Sequence, residues 1–216
     1  MILTFALHSE EQIVITGQAN PCRMRRIAVY CGSSSGSKGA YSEAAQTLGR
    51  TMARRGIGLV YGGGNIGLMG VIARTVMQSG GEVIGVIPRF LEEKEIAYHE
   101  ITELRRVDTM HQRKKVMEEL AEGFIALPGG FGTLEEFFEM LTWAQLGHHS
   151  KPCALLNVEG YYDQLLAMLL HGCEERFIRR EYYDMVMHDS DAEKLLDRME
   201  EYRSPQVEKW LDLQKV

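Results

Sequence analysis

An arginine, Arg113, occupies a position where the pattern of its helix favours an aliphatic side chain. It shares one stripe of the helix with Met110, Met117 and Leu120, and this spacing is typical of an inward face. Arg113 also lies near the start of that helix, where the helix dipole disfavours a cation by roughly 0.3–1 kcal/mol. We therefore expect an anionic partner, which could be a ligand or the carboxylate of a structural salt bridge.

The next residues of this helix are expected to face solvent. Lys114 and Lys115 precede Glu118 and Glu119 by the four residues that separate ion-paired side chains on an exposed helix face. Further along the chain, the carboxylate of Glu135 is also predicted to face solvent.

A glutamate, Glu136, is the second charged residue that could do chemistry. A carboxylate at this point could stabilise developing positive charge on a substrate and could orient or deprotonate water. The segment that starts at Thr133 also fits a capping box, with Thr133 as the N-cap and Glu136 at position N3. The spacing leaves both roles open, although Glu136 follows a glycine-rich loop and lies on an otherwise apolar helix.

Three turns rich in glycine or serine could hold a phosphate near these charged residues. They are CGSSSG (31–36), YGGGNIGLMG (61–70) and LPGGFGTLEE (127–136). Glycine lets backbone N–H groups approach a ligand closely, and a helix that starts in such a turn directs its positive dipole end at the same place. The candidate phosphate contacts are Ser33, Gly63, Gly64, Gly67, Gly129, Gly130 and Gly132.

Other nucleotide motifs fit these turns less well. Residues 62–67 match the GxGxxG pattern of dinucleotide-binding folds, but the next predicted strand ends in Pro88 and Arg89 instead of an acidic residue. No Gly-Lys-Ser or Gly-Lys-Thr follows either glycine loop, which excludes a Walker A motif. The glycines could also serve only to make tight turns, yet two such loops at one sheet edge favour phosphate binding.

Apolar strand-like runs alternate with amphipathic helical stretches along almost the whole chain. The predicted strands are Ile27–Gly32, Gly58–Tyr61, Val83–Pro88, Gly123–Leu127, Ala154–Asn157 and Asp184–Met187. The predicted helices are Tyr41–Arg55, Leu68–Ser79, Met110–Ala121, Leu134–Leu146, Tyr161–Phe177 and Asp191–Tyr202. This alternation predicts an α/β fold, a single-domain Rossmann-like doubly wound parallel sheet with helices on both faces. The carboxyl ends of its strands would gather the three turns into one cleft.

The bulk composition narrows the class of protein. The net charge of −6 argues against a protein that mainly binds nucleic acid, and no apolar run reaches the ~20 residues of a membrane span. Four separated cysteines without a CxxC pair are typical of reduced thiols in a cytoplasmic protein. The histidines at 111, 148 and 149 lack partners at ligand spacing, so we expect no metal. We expect a leader at 1–23, the domain at 24–204 and a tail at 205–216.

Several motifs together resemble those of the LONELY GUY family. PGGFGTLEE (128–136) matches the family signature PGGxGTxxE, and GGGNIGLMG (62–70) matches its partner glycine motif. CGSS, VIGVIP, MHQRK and TWAQLG agree as well, and the similarity runs in order from about Met24 to past Gly160. The resemblance implies an N-glycosidase that needs no cofactor. It would cleave (N6-modified) adenosine 5′-monophosphate, such as a cytokinin riboside 5′-monophosphate, into free base and ribose 5-phosphate.

The resemblance also implies roles for individual residues. Arg113 and Glu136 would be catalytic. Nucleotide contacts are implied for Glu95, Lys114, Gly130, Phe131, Gly132, Thr133 and Thr142. The family is usually dimeric, so we expect a homodimer with sites near its interface. The stretch KEIAYH (94–99), near the presumed base pocket, differs from the plant-like pattern, which leaves N6-prenylated and plain adenine open as the preferred base.

Two other functions stay open at this point. Members of the family often carry the label lysine decarboxylase, but that reaction typically uses pyridoxal phosphate on a Schiff-base lysine, and no lysine here has such a setting. A nucleotide-binding protein without catalytic activity could use the same phosphate cradle.

Overall fold

Seven parallel strands form one sheet at the centre of the structure. The computed structural model describes residues 24–92 and 96–205, so the predicted leader, Glu95 and the predicted tail beyond residue 205 lie outside the described residues. The strands are β1 Arg26–Tyr30, β2 Gly58–Tyr61, β3 Val83–Pro88, β4 Glu103–Val107, β5 Phe124–Ala126, β6 Cys153–Leu156 and β7 Val186–Asp189. Their order is β4-β3-β2-β1-β5-β6-β7, and each neighbouring pair is parallel.

α-Helices cover both faces of this sheet. They are α1 Gly39–Arg55, α2 Gly67–Gln78, α3 Met110–Leu120, α4 Phe131–Gln145, α5 Asp163–Glu174, α6 Arg180–Tyr183 and α7 Ala192–Glu201. The core on one face contains residues of α1, α2 and α7, and the core on the other face contains residues of α3, α4 and α5. The predicted fold class, a doubly wound parallel sheet, is therefore confirmed.

The inner strands are apolar except for Arg26 at the start of β1, because helices exclude water from both of their faces. Every residue of β3 and of β6 is buried. Successive side chains of β1 alternate between the two cores: Val29 packs with α1 and α2, whereas Ala28 and Tyr30 pack with α3 and α4. This alternation places the Tyr30 ring on the same side of the sheet as the helices that carry Arg113 and Glu136.

The edge strand β4 is absent from the strands predicted above. Its residues, ELRRV, are only partly buried or exposed, and they carry charges that an inner parallel strand would not tolerate. The Arg105 guanidinium pairs with Glu103, and that of Arg106 pairs with Glu92. A strand at the edge of a sheet is often charged, which protects its free backbone groups from pairing with another chain. The apolar pattern used to find strands therefore could not detect it.

The helix predicted at 161–177 is shorter in the structure, and a second, short helix follows it. A turn with positive φ at Glu159 (53°) and Gly160 (68°) precedes α5, and another positive φ at Arg176 (64°) follows it. Such backbone angles cannot continue a right-handed helix. Within the described part of the chain, no helix is long and apolar enough to cross a membrane.

Candidate active site

A cleft lies where the order of the strands reverses. β1 is flanked by β2 on one side and by β5 on the other, so the chain winds outwards in both directions from this point. The turns that follow β1 and β5 face each other across a cleft of about 300 Å³. Its walls include Gly32, Ser33, Ser34, Gly129, Gly130 and Tyr161. Ligands of open α/β sheets bind in this kind of crevice, and all three predicted turns contribute residues to it, the third through Leu68.

The third turn, between β2 and α2, supports the other two. Gly67 has a φ of 53°, and a Cβ added to it would lie 2.3 Å from the carbonyl carbon of Ser33. The N–H of Leu68, in the first turn of α2, donates to the carbonyl of Gly32 at 3.0 Å. On the other side of this turn, Gly64 forms a bridge with Ala97. The start of α2 is therefore packed against the CGSSSG turn, and phosphate contact by Gly63, Gly64 and Gly67 stays a prediction.

The start of α4 is the open wall of the cleft. A Cβ added to Gly130 or to Gly132 would meet nothing within 4 Å, so a ligand has room above the backbone there. The side chain of Phe131, the first residue of α4, is 93% exposed. The first N–H groups of a helix have no carbonyl partner within it, and the helix dipole adds positive potential at this end. The loop after β5 therefore offers the backbone donors and the space that an anion would need, and phosphate contact by Gly129, Gly130 and Gly132 stays a prediction.

Of the two roles left open for Glu136, the structure excludes the capping box at Thr133. The helix begins at Phe131 with Gly130 as its N-cap, and no side chain caps it. Thr133 is buried within the first turn, and Gly129 makes room for it, because a Cβ at Gly129 would lie 2.1 Å from the Thr133 hydroxyl oxygen. Glu136 consequently lies beyond the first turn and does not cap the helix.

The carboxylate of Glu136 instead pairs with the guanidinium of Arg113. The distance from Arg113 Nη2 to Glu136 Oε1 is 3.3 Å, and the two side chains are only 6% and 8% exposed. The expectation of an anionic partner for Arg113 is thus confirmed, and that partner is the second candidate residue. Removing two charges from water is costly, and a buried ion pair often contributes little net stability. A buried pair of this kind, on a helix that starts at a glycine-rich loop, is a functional-site candidate.

The loop after β2 also makes room for this ion pair. A Cβ added to Gly62 would lie 2.2 Å from Arg113 Nη2 and 3.1 Å from Arg113 Cζ. Only glycine at this position lets the guanidinium lie against the backbone. The side chain of Thr109 caps α3 by accepting the N–H of Gln112 at 3.1 Å, which fixes the helix that carries Arg113.

Two residues at the end of β1, Tyr30 and Cys31, complete the buried side of the site. Burial raises the pKa of the Tyr30 phenol well above its ordinary value, and the negative charge of Glu136 raises it further. Burial also raises the pKa of the Cys31 thiol, with the same contribution from Glu136. Both groups therefore stay neutral beside the ion pair. Tyr30 is not among the residues predicted from the sequence, although its place directly before the CGSSSG turn could have indicated it.

The prediction that Lys114 faces solvent is wrong. Its side chain is buried, and its ammonium group pairs with Glu135 and, at 3.0 Å, with Glu139. Burial alone lowers the pKa of Lys114, but hydrogen bonds to these two carboxylates outweigh it and raise the pKa overall. The helix pattern failed because α4 covers the side of α3 that was expected to be solvated. Glu135 is exposed, as predicted.

Glu118, predicted to pair with Lys114, is buried as well. It accepts from Lys151 Nζ at 2.6 Å and pairs with Lys115 at 3.3 Å. The predicted pair of Lys115 with Glu119 is present at 3.6 Å on the exposed side of α3. Both faces of this helix therefore carry ion pairs, and the buried ones join it to its neighbours.

Thr142 is not part of the cleft. It lies beyond Glu136 on α4 and lines a separate groove with Phe138 and Leu141. Its predicted contact with the nucleotide is therefore not explained by the fold of one chain. Among residues 24–92 and 96–205, no three His, Cys, Asp or Glu side chains are grouped so that they could hold a metal ion.

Comparisons with known proteins agree with the motifs. The family model described as "Possible lysine decarboxylase" matches residues 69–199. The cytokinin riboside 5′-monophosphate phosphoribohydrolase LOG of Oryza sativa subsp. japonica is 48% identical over 180 residues, which cover 83% of this chain and 74% of the relative. The corresponding enzyme LOG3 of Arabidopsis thaliana is 48% identical over 180 residues, which cover 83% of this chain and 84% of the relative.

Solved structures share the fold at lower identity. The molybdenum cofactor binding protein of Rippkaea orientalis matches with a TM-score of 0.62 at 21% identity, over 83% of this chain and 98% of that chain. The molybdenum cofactor carrier protein of Chlamydomonas reinhardtii matches with a TM-score of 0.58 at 20% identity, over 83% and 98% of the two chains. These likenesses show the fold alone. The family model and the identity to the LOG enzymes show that this chain belongs to the LONELY GUY family.

Proposed function

We propose that this protein is a nucleoside 5′-monophosphate phosphoribohydrolase. It hydrolyses the N-glycosidic bond of (N6-modified) adenosine 5′-monophosphate, including cytokinin riboside 5′-monophosphates, and releases the free base and ribose 5-phosphate. The observation that carries the proposal is the buried pair of Arg113 and Glu136, whose charged atoms are 3.3 Å apart and whose carboxylate lies on the helix that begins in the glycine loop after β5. Relatives that are 48% identical bear the name of this activity.

The 5′-phosphate binds at the start of α4. The N–H groups of Gly130, Phe131, Gly132 and Thr133 belong to the N-cap and first turn, where backbone donors are free for an anion. The open space above Gly130 and Gly132 admits the phosphate oxygens. The phosphate thus anchors the nucleotide at the start of α4, the same helix that carries Glu136.

The carboxylate of Glu136 acts on the sugar. Cleavage of the bond between C1′ and the base nitrogen leaves positive charge on the ribose ring, and a nearby carboxylate stabilises that charge. The bond electrons leave with the base, which takes up a proton, while a water oxygen adds to C1′ and loses a proton to Glu136. Arg113 orients the Glu136 carboxylate, because its guanidinium is fixed against Gly62.

Lysine decarboxylation is disfavoured by the environment of the buried lysine. A lysine that forms a Schiff base must lose its proton, which ion pairs with carboxylates oppose. Lys114 is held by Glu135 and Glu139, and its pKa is raised. A diamine released from lysine, or an absorbance band of a Schiff base in the purified protein, would revive this alternative.

The reaction is tested by measuring the free base released from a panel of nucleotides by liquid chromatography. The panel contains N6-prenylated AMP, AMP, their nucleosides, and the di- and triphosphates. We expect release from monophosphates only. Glu136→Gln should abolish turnover but retain nucleotide binding, whereas Glu135→Gln, which changes the exposed neighbour, should stay active. Binding of AMP without base release by the wild-type protein would instead identify a nucleotide-binding protein without catalytic activity.

We also propose that the protein is a cytoplasmic homodimer. The groove that contains Thr142 is lined by Phe138 and Leu141, and a neighbouring hollow contains Phe177, whose side chain is exposed. Exposed apolar surface of this kind marks interaction sites. A second copy packed on this groove would explain how Thr142 reaches a nucleotide. Light scattering of the purified protein should give twice the mass of one chain.

A further inference from the structure

Two consecutive tyrosines donate hydrogen bonds to the loop that follows β5. The hydroxyl of Tyr161 donates to the carbonyl of Gly129 at 2.6 Å, and the hydroxyl of Tyr162 donates to the carbonyl of Leu127 at 2.7 Å. The two acceptors are alternate residues of the segment that leads from the sheet to the start of α4. Tyr162 is buried, whereas Tyr161 is 42% exposed and lines the cleft.

The turn that presents these tyrosines is held rigidly. Gly160 has a φ of 68°, and a Cβ on it would lie 2.5 Å from Asp163 Oδ2. The side chain of Asn157 accepts the N–H of Tyr162 at 2.7 Å and donates to Asp163 at 2.7 Å. The ring of Tyr161 also packs edge-on against that of Tyr162, with 5.0 Å between the ring centroids. The position of the Tyr161 hydroxyl is therefore fixed by its surroundings.

The bond from Tyr161 determines the orientation of the peptide group next to the cradle. The carbonyl of Gly129 and the N–H of Gly130 belong to one planar trans peptide, so they point in opposite directions. Gly130 is the N-cap of α4, and its carbonyl accepts the N–H of Leu134 at 3.1 Å. Fixing the Gly129 carbonyl therefore also fixes the direction of the Gly130 N–H at the point where the helix begins.

We propose that Tyr161 is a positioning residue of the phosphate cradle, an inference that rests on the proposed function. Its hydroxyl proton is donated to Gly129, so the residue acts through the loop and does not supply a proton to the substrate. By holding this peptide in one orientation, it prepares the N–H groups of Gly130 and of the first turn for the 5′-phosphate. Such preorganisation lowers the cost of binding.

The test compares three variants that each remove one hydroxyl. Tyr161→Phe keeps the ring but loses the bond to Gly129, and it should raise both KM and the Kd for ribose 5-phosphate about fivefold, as expected for one hydrogen bond. Its kcat should stay within about twofold of the wild-type value. Weaker phosphate binding destabilises the bound substrate and the transition state equally, so the barrier between them does not change. Tyr162→Phe should lower the Tm and change KM less, since its buried hydroxyl bonds the strand end at Leu127. Tyr202→Phe, directly after α7 and outside both the cleft and the Thr142 groove, is the control and should change neither KM nor the Kd for ribose 5-phosphate.

Two results would overturn the inference. One is an unchanged Kd for ribose 5-phosphate in Tyr161→Phe, measured by titration calorimetry. The other is a rise in KM that is proportional to the fall in Tm in both Tyr161→Phe and Tyr162→Phe. Such a correlation would mean that each variant weakens binding by loosening the whole loop and not by freeing one peptide group. Calorimetry separates the two proposals: wild-type protein that binds ribose 5-phosphate without releasing base from any monophosphate would refute the catalytic proposal alone. Wild-type protein that does not bind ribose 5-phosphate would refute the cradle and the role of Tyr161 together.

Discussion

Removing the Arg113 side chain alone should destabilise the protein more than removing both charges of its ion pair. The two side chains are 6% and 8% exposed, and their charged atoms are 3.3 Å apart. At an effective dielectric constant of about 20, charges at that separation attract by about 5 kcal/mol, most of which offsets the cost of their burial. Arg113→Met leaves the Glu136 carboxylate buried without this partner, and we expect a loss of about 3–5 kcal/mol in the free energy of unfolding.

The double variant Arg113→Met with Glu136→Leu removes the buried charge as well. Replacing a buried ion pair by apolar side chains of similar volume is often neutral or stabilising, so we expect the double variant to recover most of the lost stability. Urea denaturation followed by circular dichroism measures both free energies, and the base-release assay should find both variants inactive. Lys115→Met provides a matched control on the same helix. The Lys115 side chain is solvent-exposed, so its loss should change the free energy of unfolding far less than the loss of Arg113 does.

A urea midpoint of Arg113→Met equal to that of the wild type would refute this expectation, because the pair would then contribute no more than a surface pair. A double variant as unstable as the single one would refute it equally. That result would mean that the destabilisation comes from lost packing around Arg113 and not from the loss of the opposite charge beside Glu136. Normal turnover by Arg113→Met would contradict the catalytic role of the arginine in a separate way.

Two further predictions concern the surroundings of the site and the opposite end of α4. Gly62→Ala places a methyl group 2.2 Å from Arg113 Nη2 and displaces the guanidinium, so kcat should fall about 100-fold in the base-release assay, as for misplacement of a catalytic group by about 1 Å. Burial lowers the pKa of His149 from 6.5 to about 4, with a further contribution from Lys151 that outweighs Glu118. Because the unfolded chain then binds more protons, stability should fall as the pH drops from about 6.5 towards 4. His149→Asn should flatten that pH dependence of the urea midpoint, and an unchanged dependence would contradict the assignment.

Much of the fold could be predicted from the sequence because the inner strands are buried on both faces. A fully apolar run such as β6, followed by polar residues and then the amphipathic helix α5, is typical of a parallel strand buried between two layers of helices. The location of the cleft followed as well, since turns that leave parallel strands must meet at the same edge. Arg113 could be identified from the sequence because it is a cation on the inward face of a helix, near the start of that helix. A cation in such a position requires an anionic partner.

The errors came from contacts between elements that are distant in the sequence. The pattern of α3 could not show that α4 covers Lys114, because that depends on how the two helices pack. The capping box at Thr133 fitted the local sequence, but the chain starts the helix earlier because Gly129 leaves room for the Thr133 side chain. The tyrosine hydroxyls at 161 and 162 act on carbonyls that lie 32 and 35 residues away in the sequence. No local pattern marks such a bond.

The glycines of this site have three different functions, although the sequence presents them as one kind of loop. Gly62 makes room for a side chain, because the guanidinium of Arg113 lies where its Cβ would be. Gly67 makes room for backbone, because the Ser33 peptide occupies that space. Gly130 and Gly132 have nothing above them within the described residues, so only there does the absence of a side chain leave space for a ligand. We therefore propose that the phosphate binds at the start of α4, and that the loop after β2 contributes to catalysis by placing the arginine that orients Glu136.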